Sequence, residues 1–413
     1  MTTGASAAGA QARPELQSLT SLRFFAAFAV LVLHYRDRFG PLPDWVMKGV
    51  IGGQYGVTFF FVLSGFILTY RYADWFEGGV TESRYWLFQR FRFARIYPVY
   101  VLGLLLDTPW HLAERSQVGQ LGEVGPTYWA SWLINLVGMQ AWVPSTPFSM
   151  FWNTPAWSVA AEFFFYATFP FVCAALGRWR PGRAGLVGAF LGAIVVGVLM
   201  YVGLMYVLTF VRPVAFDTQY TLQVYTPLMR YSEFLCGCLA GRLFLACHFD
   251  AERPGVPMLR SVAGRNLVIV LSLAAVAWRV WSADYTGPNQ WLWLTDVSVK
   301  YAVFILPFSL LILAFASGRT WLTPLLERRW LVTLGEASYA LYIVHWAALS
   351  FLNLHYLGEY HTPWVHGLFL LGTVGFSVLV YHRFETPARR WLRRRPSAQA
   401  GSGAASGALA QAQ

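Results

Sequence analysis

Charge is scarce in this chain: only 12% of its 413 residues are Asp, Glu, Lys or Arg, about half the roughly 25% typical of a soluble globular protein. A soluble enzyme is thereby excluded. Acidic residues are the scarcer sign, 20 against 31 basic ones, leaving a net charge of +11. A nucleic-acid-binding domain would gather that excess on a folded polar face; here it falls between apolar blocks, so nucleic acid is not an expected partner. Cysteine is sparse as well. Cys173, Cys236, Cys238 and Cys247 lie in or beside apolar runs with no CxxC spacing, so they read as small core residues. There is no Walker loop, no GxSxG, no His-Glu-x-x-His and no acidic cluster suited to a metal. Coupling to nucleotide hydrolysis is therefore not expected, nor is a bound metal or cofactor. No internal period of about 20 to 50 residues points to a solenoid.

What fills the chain instead is apolar: 56% hydrophobic residues and 17% aromatics, with 19 Trp. The apolar residues gather in blocks near the roughly 20 residues that cross a bilayer core as a helix. Eleven segments stand out, at about 19–36, 48–70, 95–110, 128–143, 154–176, 185–210, 222–245, 266–282, 297–316, 333–353 and 363–381. Basic groups cluster at Arg71 to Arg95, Arg178 to Arg183, Arg242 to Arg265, Arg319 to Arg329 and Arg383 to Arg395; by the positive-inside rule these connections face the cytoplasm. Parity then allows one crossing between the third segment and Arg178. The 128–143 segment is among the shortest and is flanked by Pro126, Pro144, Pro147 and Pro155, so it is demoted to a partial or re-entrant helix on the outer side.

The expectation is an all-α integral protein of the inner (plasma) membrane, with about ten transmembrane helices and both termini cytoplasmic. Arg36, Arg38 and Lys48 in the first external loop depart locally from the charge rule. Residues 1–15 read as a disordered cytoplasmic tail without a signal peptide, 16–390 as the membrane domain, and 391–413 as a basic and then disordered tail.

Ionisable residues inside apolar spans are costly and are functional candidates by default. Arg23 and His34 lie eleven positions apart in the first span, about three turns, so they share one helix face with a rise of ~16 Å between them. That suits an anion-holding group and a proton acceptor on one substrate path; alternatively Arg23 snorkels as an interface anchor and His34 is an interfacial histidine. Arg92 and Arg95, at i and i+3, form a guanidinium pair suited either to a phosphate-bearing ligand or to lipid headgroups. Ser158, Glu162 and Tyr166 recur every four residues as one polar stripe. Glu162 is suited to fixing a histidine tautomer, taking a proton or pairing with an arginine such as Arg23. Arg230 and Glu233 are spaced to neutralise one another. His345, inside the tenth apolar segment, reads either as catalytic or as a hydrogen-bonded packing residue.

In this order the motifs resemble the acyltransferase-3 family of bacterial membrane O-acyltransferases. The resemblance covers about residues 16 to 390. It rests on Arg23 and His34; Gly56-Val57-Thr58-Phe59-Phe60-Phe61-Val62-Leu63-Ser64-Gly65-Phe66; Arg92-Phe93-Ala94-Arg95-Ile96-Tyr97-Pro98; Trp157-Ser158 with Glu162 and Tyr166; Arg230 with Glu233-Phe234; Ser338-Tyr339 with Tyr342 and His345; and Glu385-Thr386-Pro387. No SGNH-type esterase domain follows the last span, so the chain resembles a stand-alone form. The resemblance implies acyl-CoA as cytoplasmic co-substrate and a hydroxyl acceptor on a cell-surface polysaccharide, a lipid-linked sugar or a glycosylated, macrolide-type small molecule. It implies His34 as the residue of transfer, with Glu162 and Arg23 beside it, Arg92 and Arg95 on the coenzyme phosphates, and Ser158, Tyr166, Tyr342 and His345 as acceptor or support residues. The competing class is a proton-coupled transporter or flippase of a polar lipid or sugar, which also uses intramembrane Arg, Glu and His; such folds commonly pair two halves, and the Arg23/His34 pattern occurs once.

Overall fold

The computed structural model describes residues 13–117, 119–248, 257–282, 290–355 and 363–394. Every regular element among them is helical. Short turns aside, the helices are α1 (Gln17–Tyr35), α2 (Asp44–Ile51), α3 (Gly56–Phe76), α4 (Glu82–Gln117), α5 (Pro126–Leu136), α6 (Trp157–Trp179), α7 (Arg183–Tyr206), α8 (Phe216–Tyr225), α9 (Tyr231–His248), α10 (Val262–Ser282), α11 (Gln290–Ala316), α12 (Arg329–Glu336), α13 (Ser338–His355), α14 (Pro363–Val380) and α15 (Thr386–Arg393).

Six helical stretches among the described residues are long and apolar enough to cross a membrane: Gln17–Arg38, Asp44–Phe76, Thr154–Trp179, Arg183–Val211, Val262–Ser282 and Pro363–Arg393. The pair α12 and α13, bent by 60° at its break, makes a seventh if counted as one span. The expected ten spans are not all recovered, and charge explains much of the shortfall. The segment expected at 95–110 is the middle of a 36-residue helix, ~54 Å long, with Arg84, Arg90, Arg92 and Arg95 on one side of Pro98 and Asp107, Glu114 and Arg115 on the other. The segment expected at 222–245 is broken into α8 and α9, and α9 carries Glu233 and Arg242. The 128–143 segment contains α5, whose 11 residues are about half what a crossing needs.

Lipid-facing surface identifies the environment. Val187, Leu191, Val195, Val196 and Leu199 on α7 are all exposed, an apolar stripe of a kind that soluble monomers rarely show to water. The chain is a multi-pass membrane protein. Close helix approach is built on small residues, as packing in lipid favours. A Cβ at Gly56 would stand 2.7 Å from the Ala26 carbonyl oxygen of α1, and one at Gly65 2.8 Å from the Cys238 nitrogen of α9.

The basic connections converge on one end of the bundle. Arg13 pairs with Asp74 at 2.7 Å and Arg71 with Glu15 at 3.3 Å, joining the end of α3 to the start of α1; residues 13–15 of the expected tail are thus held in place. Arg242 pairs with Glu77, Gly177 abuts the Glu77 backbone, and Arg183 donates to the Ala246 carbonyl. Ser18 reaches Glu327, Arg265 donates to the Arg319 carbonyl, and Arg90 donates to the Leu392 carbonyl. The remaining tail residues, 1–12 and 395–413, lie outside the described residues, as does Arg253.

Candidate active site

α1 carries candidate groups at both ends, and each end meets different partners. At the basic end, Arg23 lines a cavity of about 810 Å³ together with Arg92 and Arg95 from α4 and Glu162 and Tyr166 from α6. Tyr166 donates its hydroxyl to Glu162 at 2.9 Å, a contact set by their i, i+4 spacing. Arg23 and Arg95 share this wall with Glu162. Arg92 donates to the Tyr72 hydroxyl at 2.7 Å and lies over the Tyr72 and Phe88 rings, its guanidinium carbon 5.0 Å and 5.7 Å from their centroids. Three candidate arginines, one carboxylate and a tyrosine therefore share one wall, as an anionic ligand requires.

About three turns further along α1, ~16 Å by helical rise, His34 meets α13. Its Nδ1 lies 2.9 Å from Nε2 of His345, whose Nδ1 is 3.1 Å from the Leu341 carbonyl. The ring planes are 13° apart with centroids separated by 5.2 Å, nearly coplanar, as an in-plane N–H···N bond needs. With both rings neutral, the chain of bonds assigns the tautomers. His345 donates Nδ1–H to Leu341 and accepts the Nδ1–H of His34, so the lone pair of His34 resides on Nε2. Trp346 stands edge-on to the His34 ring at 5.3 Å. Glu162, considered from sequence as a partner for a histidine, instead lines the cavity at the other end of α1, and the ring bonded to His34 is that of His345.

The remaining sequence candidates separate. The Ser158 and Tyr342 hydroxyls lie 2.8 Å apart and 3.0 Å and 3.1 Å from the Pro155 carbonyl, so one donates to the other and the second to the carbonyl; they brace α13 against the start of α6 and do not line the cavity. Arg230 and Glu233 form a buried pair at 3.0 Å that shares Thr58, and Arg230 lies 3.8 Å over the Tyr301 ring. That is the neutral structural unit their spacing suggested.

Sequence reasoning missed Asp107. It is fully buried on α4 and accepts the Asn153 backbone N–H at 2.9 Å and the Ser350 hydroxyl at 2.8 Å, holding Asn153 in a left-handed conformation, φ 36°. A signal existed: an acidic residue within an apolar segment, the criterion that flagged Glu162. Glu385, named in the sequence only as part of the Glu385-Thr386-Pro387 motif, is buried in the π turn between α14 and α15 with neither carboxylate oxygen hydrogen-bonded, and near Arg95, Arg389 and Arg23.

Comparison with known proteins places this geometry among relatives. Residues 16–382 match the family described as "Acyltransferase domain", Acyl_transf_3. The chain is 29% identical to the acyltransferase MdmB of Streptomyces mycarofaciens, over 93% of this chain and 95% of that one. It is 22% identical to the O-acetyltransferase OatA of Staphylococcus aureus and to the putative O-acetyltransferase SACOL0978 of the same species, over 91% of this chain and 57% of each of theirs. No solved structure matches the chain.

Proposed function

This chain belongs to the acyltransferase-3 family, and from that premise we propose that it moves an acyl group from cytoplasmic acyl-CoA to a hydroxyl of a carbohydrate or glycosylated acceptor, within the inner (plasma) membrane and with both termini cytoplasmic. The observation that carries the reading is the division of labour along α1: an arginine-lined cavity at the basic end and a free imidazole nitrogen ~16 Å further on. Arg92 and Arg95 grip the diphosphate of the coenzyme, since each guanidinium offers a planar fork of donors to a phosphate. Arg23, deeper in the span, steadies the inner part of the donor. Glu162, tied to Tyr166, belongs to this donor wall.

At the far end, His34 Nε2 takes the proton of the acceptor hydroxyl as its oxygen attacks the thioester carbonyl. The tetrahedral intermediate collapses with cleavage of the C–S bond, and the proton held by His34 passes to the departing thiolate, leaving ester and free thiol. The coplanar bond to His345 keeps the attacking lone pair on Nε2. The ten-span count belongs to this reading too, with α4, α9 and α11 crossing in company rather than on their own apolarity.

The test is thiol release by the purified protein in proteoliposomes given acyl-CoA with and without a hydroxyl acceptor. Release that requires the acceptor is expected; uptake of a polar solute without thiol release would replace this reading with a transporter.

A further inference from the structure

The C-terminal helix α15 is inside out for a surface helix. At ~100° per residue, Arg389, Arg390 and Arg393 occupy one side, with Arg394 beside them just past the helix end. Ala388, Trp391 and Leu392 occupy the opposite side. A helix lying on a water-soluble protein buries its apolar side and shows its charges to solvent. Here the four arginines line the cavity, and Trp391 stands out with 71% of its surface exposed.

The backbone is fastened in that orientation: Arg90 on α4 donates to the carbonyls of Leu392 and Arg394, and Arg393 lies over the Phe91 ring at 5.1 Å. Turning charge inward places like charges together, since Arg393 faces Arg92, Arg95 and Arg389. Among the described residues neither Arg389 nor Arg390 has an acidic partner within 4.0 Å. The cavity wall holds eight arginines against three glutamates, an excess of five positive charges, or four when Glu385 behind the wall is counted. A lipid-facing setting suits Trp391 pointing out, and an anion in the cavity would offset the like charges that the arginines bring together.

We propose that α15 forms a distinct subsite for a phosphomonoester, the ribose 3′-phosphate of the donor coenzyme, and so selects coenzyme-A thioesters over donors that carry the pantetheine arm without it. The inference rests on the acyl-CoA reading above. Direction assigns the subsite. The thioester must enter toward Arg23 and the interior of the span, so the nucleotide end stays at the mouth, where Arg390 and Arg394 are exposed. Charge agrees: a phosphomonoester carries about −1.5 to −2 at neutral pH, which with the diphosphate brings the coenzyme to about −4, close to the excess on the wall. An anionic lipid headgroup offers the same phosphate chemistry and must be separated by experiment.

The experiment measures binding of coenzyme A and of 3′-dephospho-coenzyme A to the full chain in nanodiscs of phosphatidylcholine, which needs no knowledge of the acyl group. Coenzyme A should bind roughly 10- to 100-fold more tightly, the worth of one or two charge-assisted hydrogen bonds. In the Arg389→Gln/Arg393→Gln double variant the two constants should converge, through loss of coenzyme A affinity alone; the dephospho constant doubles as the check on folding. Equal binding of both nucleotides by the unaltered protein overturns the subsite while leaving the donor reading intact, as does an undiminished preference in the double variant. Binding of neither nucleotide overturns the donor reading and the subsite with it. With part of the phosphatidylcholine replaced by phosphatidylglycerol, the preference should persist. Its disappearance, accompanied by phosphatidylglycerol adducts in native mass spectra that the double variant loses, assigns the arginines to lipid.

Discussion

A histidine makes a general base only if its lone pair is on the nitrogen that faces the substrate, and a ring held by one hydrogen bond has that choice made for it. His34 owes this to His345, 311 residues away in sequence, a pairing no spacing rule could foresee. What the sequence did reveal was the cost of placing each histidine in an apolar segment. The relation between them required the fold to bring α1 onto α13. The same limit applies to Glu162, whose candidacy is legible in the sequence but whose place in the arginine-lined cavity is not. His34→Ala should lower kcat by about 10² to 10⁴, the usual worth of a positioned base, with the donor KM little changed. His345→Leu should lower kcat by roughly 10- to 100-fold, again at near-constant donor KM, because it frees the His34 tautomer without touching the cavity. His345→Gln, which keeps an acceptor near the Nε2 position, should recover most of the loss. Steady-state kinetics on folded, inserted protein checks all three; a Gln variant no better than Leu would reduce His345 to packing.

Helices were the level at which sequence patterning worked best, and α4 shows where it gave out. Its apolar stretch was read as a span of ordinary length, yet the helix runs for 36 residues through Pro98 and Pro109, because each proline removes one N–H donor while neighbouring helices hold the axis. The extension at its start, residues 82–94, is about three and a half turns and carries Arg90 and Arg92, with Arg95 just after them, to α15. α15 straddles the boundary that the sequence suggests between the membrane domain, to residue 390, and a basic tail beyond it, since charge near a terminus satisfies the topology rule without any ligand. Its amphipathic period was present in Arg389, Arg390 and Arg393, but which side faces inward is a property of packing. Replacing Arg92 and Arg95 together with alanine should raise the donor KM roughly 10- to 100-fold and the acceptor KM far less. Lysine should restore only part, because it keeps the charge but loses the planar fork and the seat over Tyr72 and Phe88. Varying both substrates separates the two constants; an unmoved donor KM in folded protein removes the phosphate role from α4.

At the scale of the whole molecule, the ends of the bundle differ in charge more than any single loop does. The basic connections read from sequence as one-sided are gathered by the fold around the starts of α1 and α4 and the end of α3. The opposite end has Arg36, Arg38, Lys48, Arg115, Arg212 and Arg279, and there the groups are partly spoken for: Arg38 donates to Asn353, which donates to Glu114 at 2.9 Å. The local violation of the charge rule in the first external loop is thus partly absorbed by a side-chain chain anchored on α4. Applied to this asymmetry, the rule supports the proposed orientation, with the cavity toward the cytoplasm, where the proposed acyl-CoA donor would be supplied. Cysteine labelling can decide this with little background, because Cys173, Cys236 and Cys238 are buried and Cys247 alone needs replacement. Ser83, exposed at the start of α4, and Asp44, exposed at the start of α2, mark the two ends. In intact cells an impermeant maleimide should modify Asp44→Cys and spare Ser83→Cys, with Ser83→Cys becoming reactive once the membrane is opened. The reverse pattern would turn the arginine cavity away from its donor and end the proposed reaction path, whatever the kinetics of the single variants.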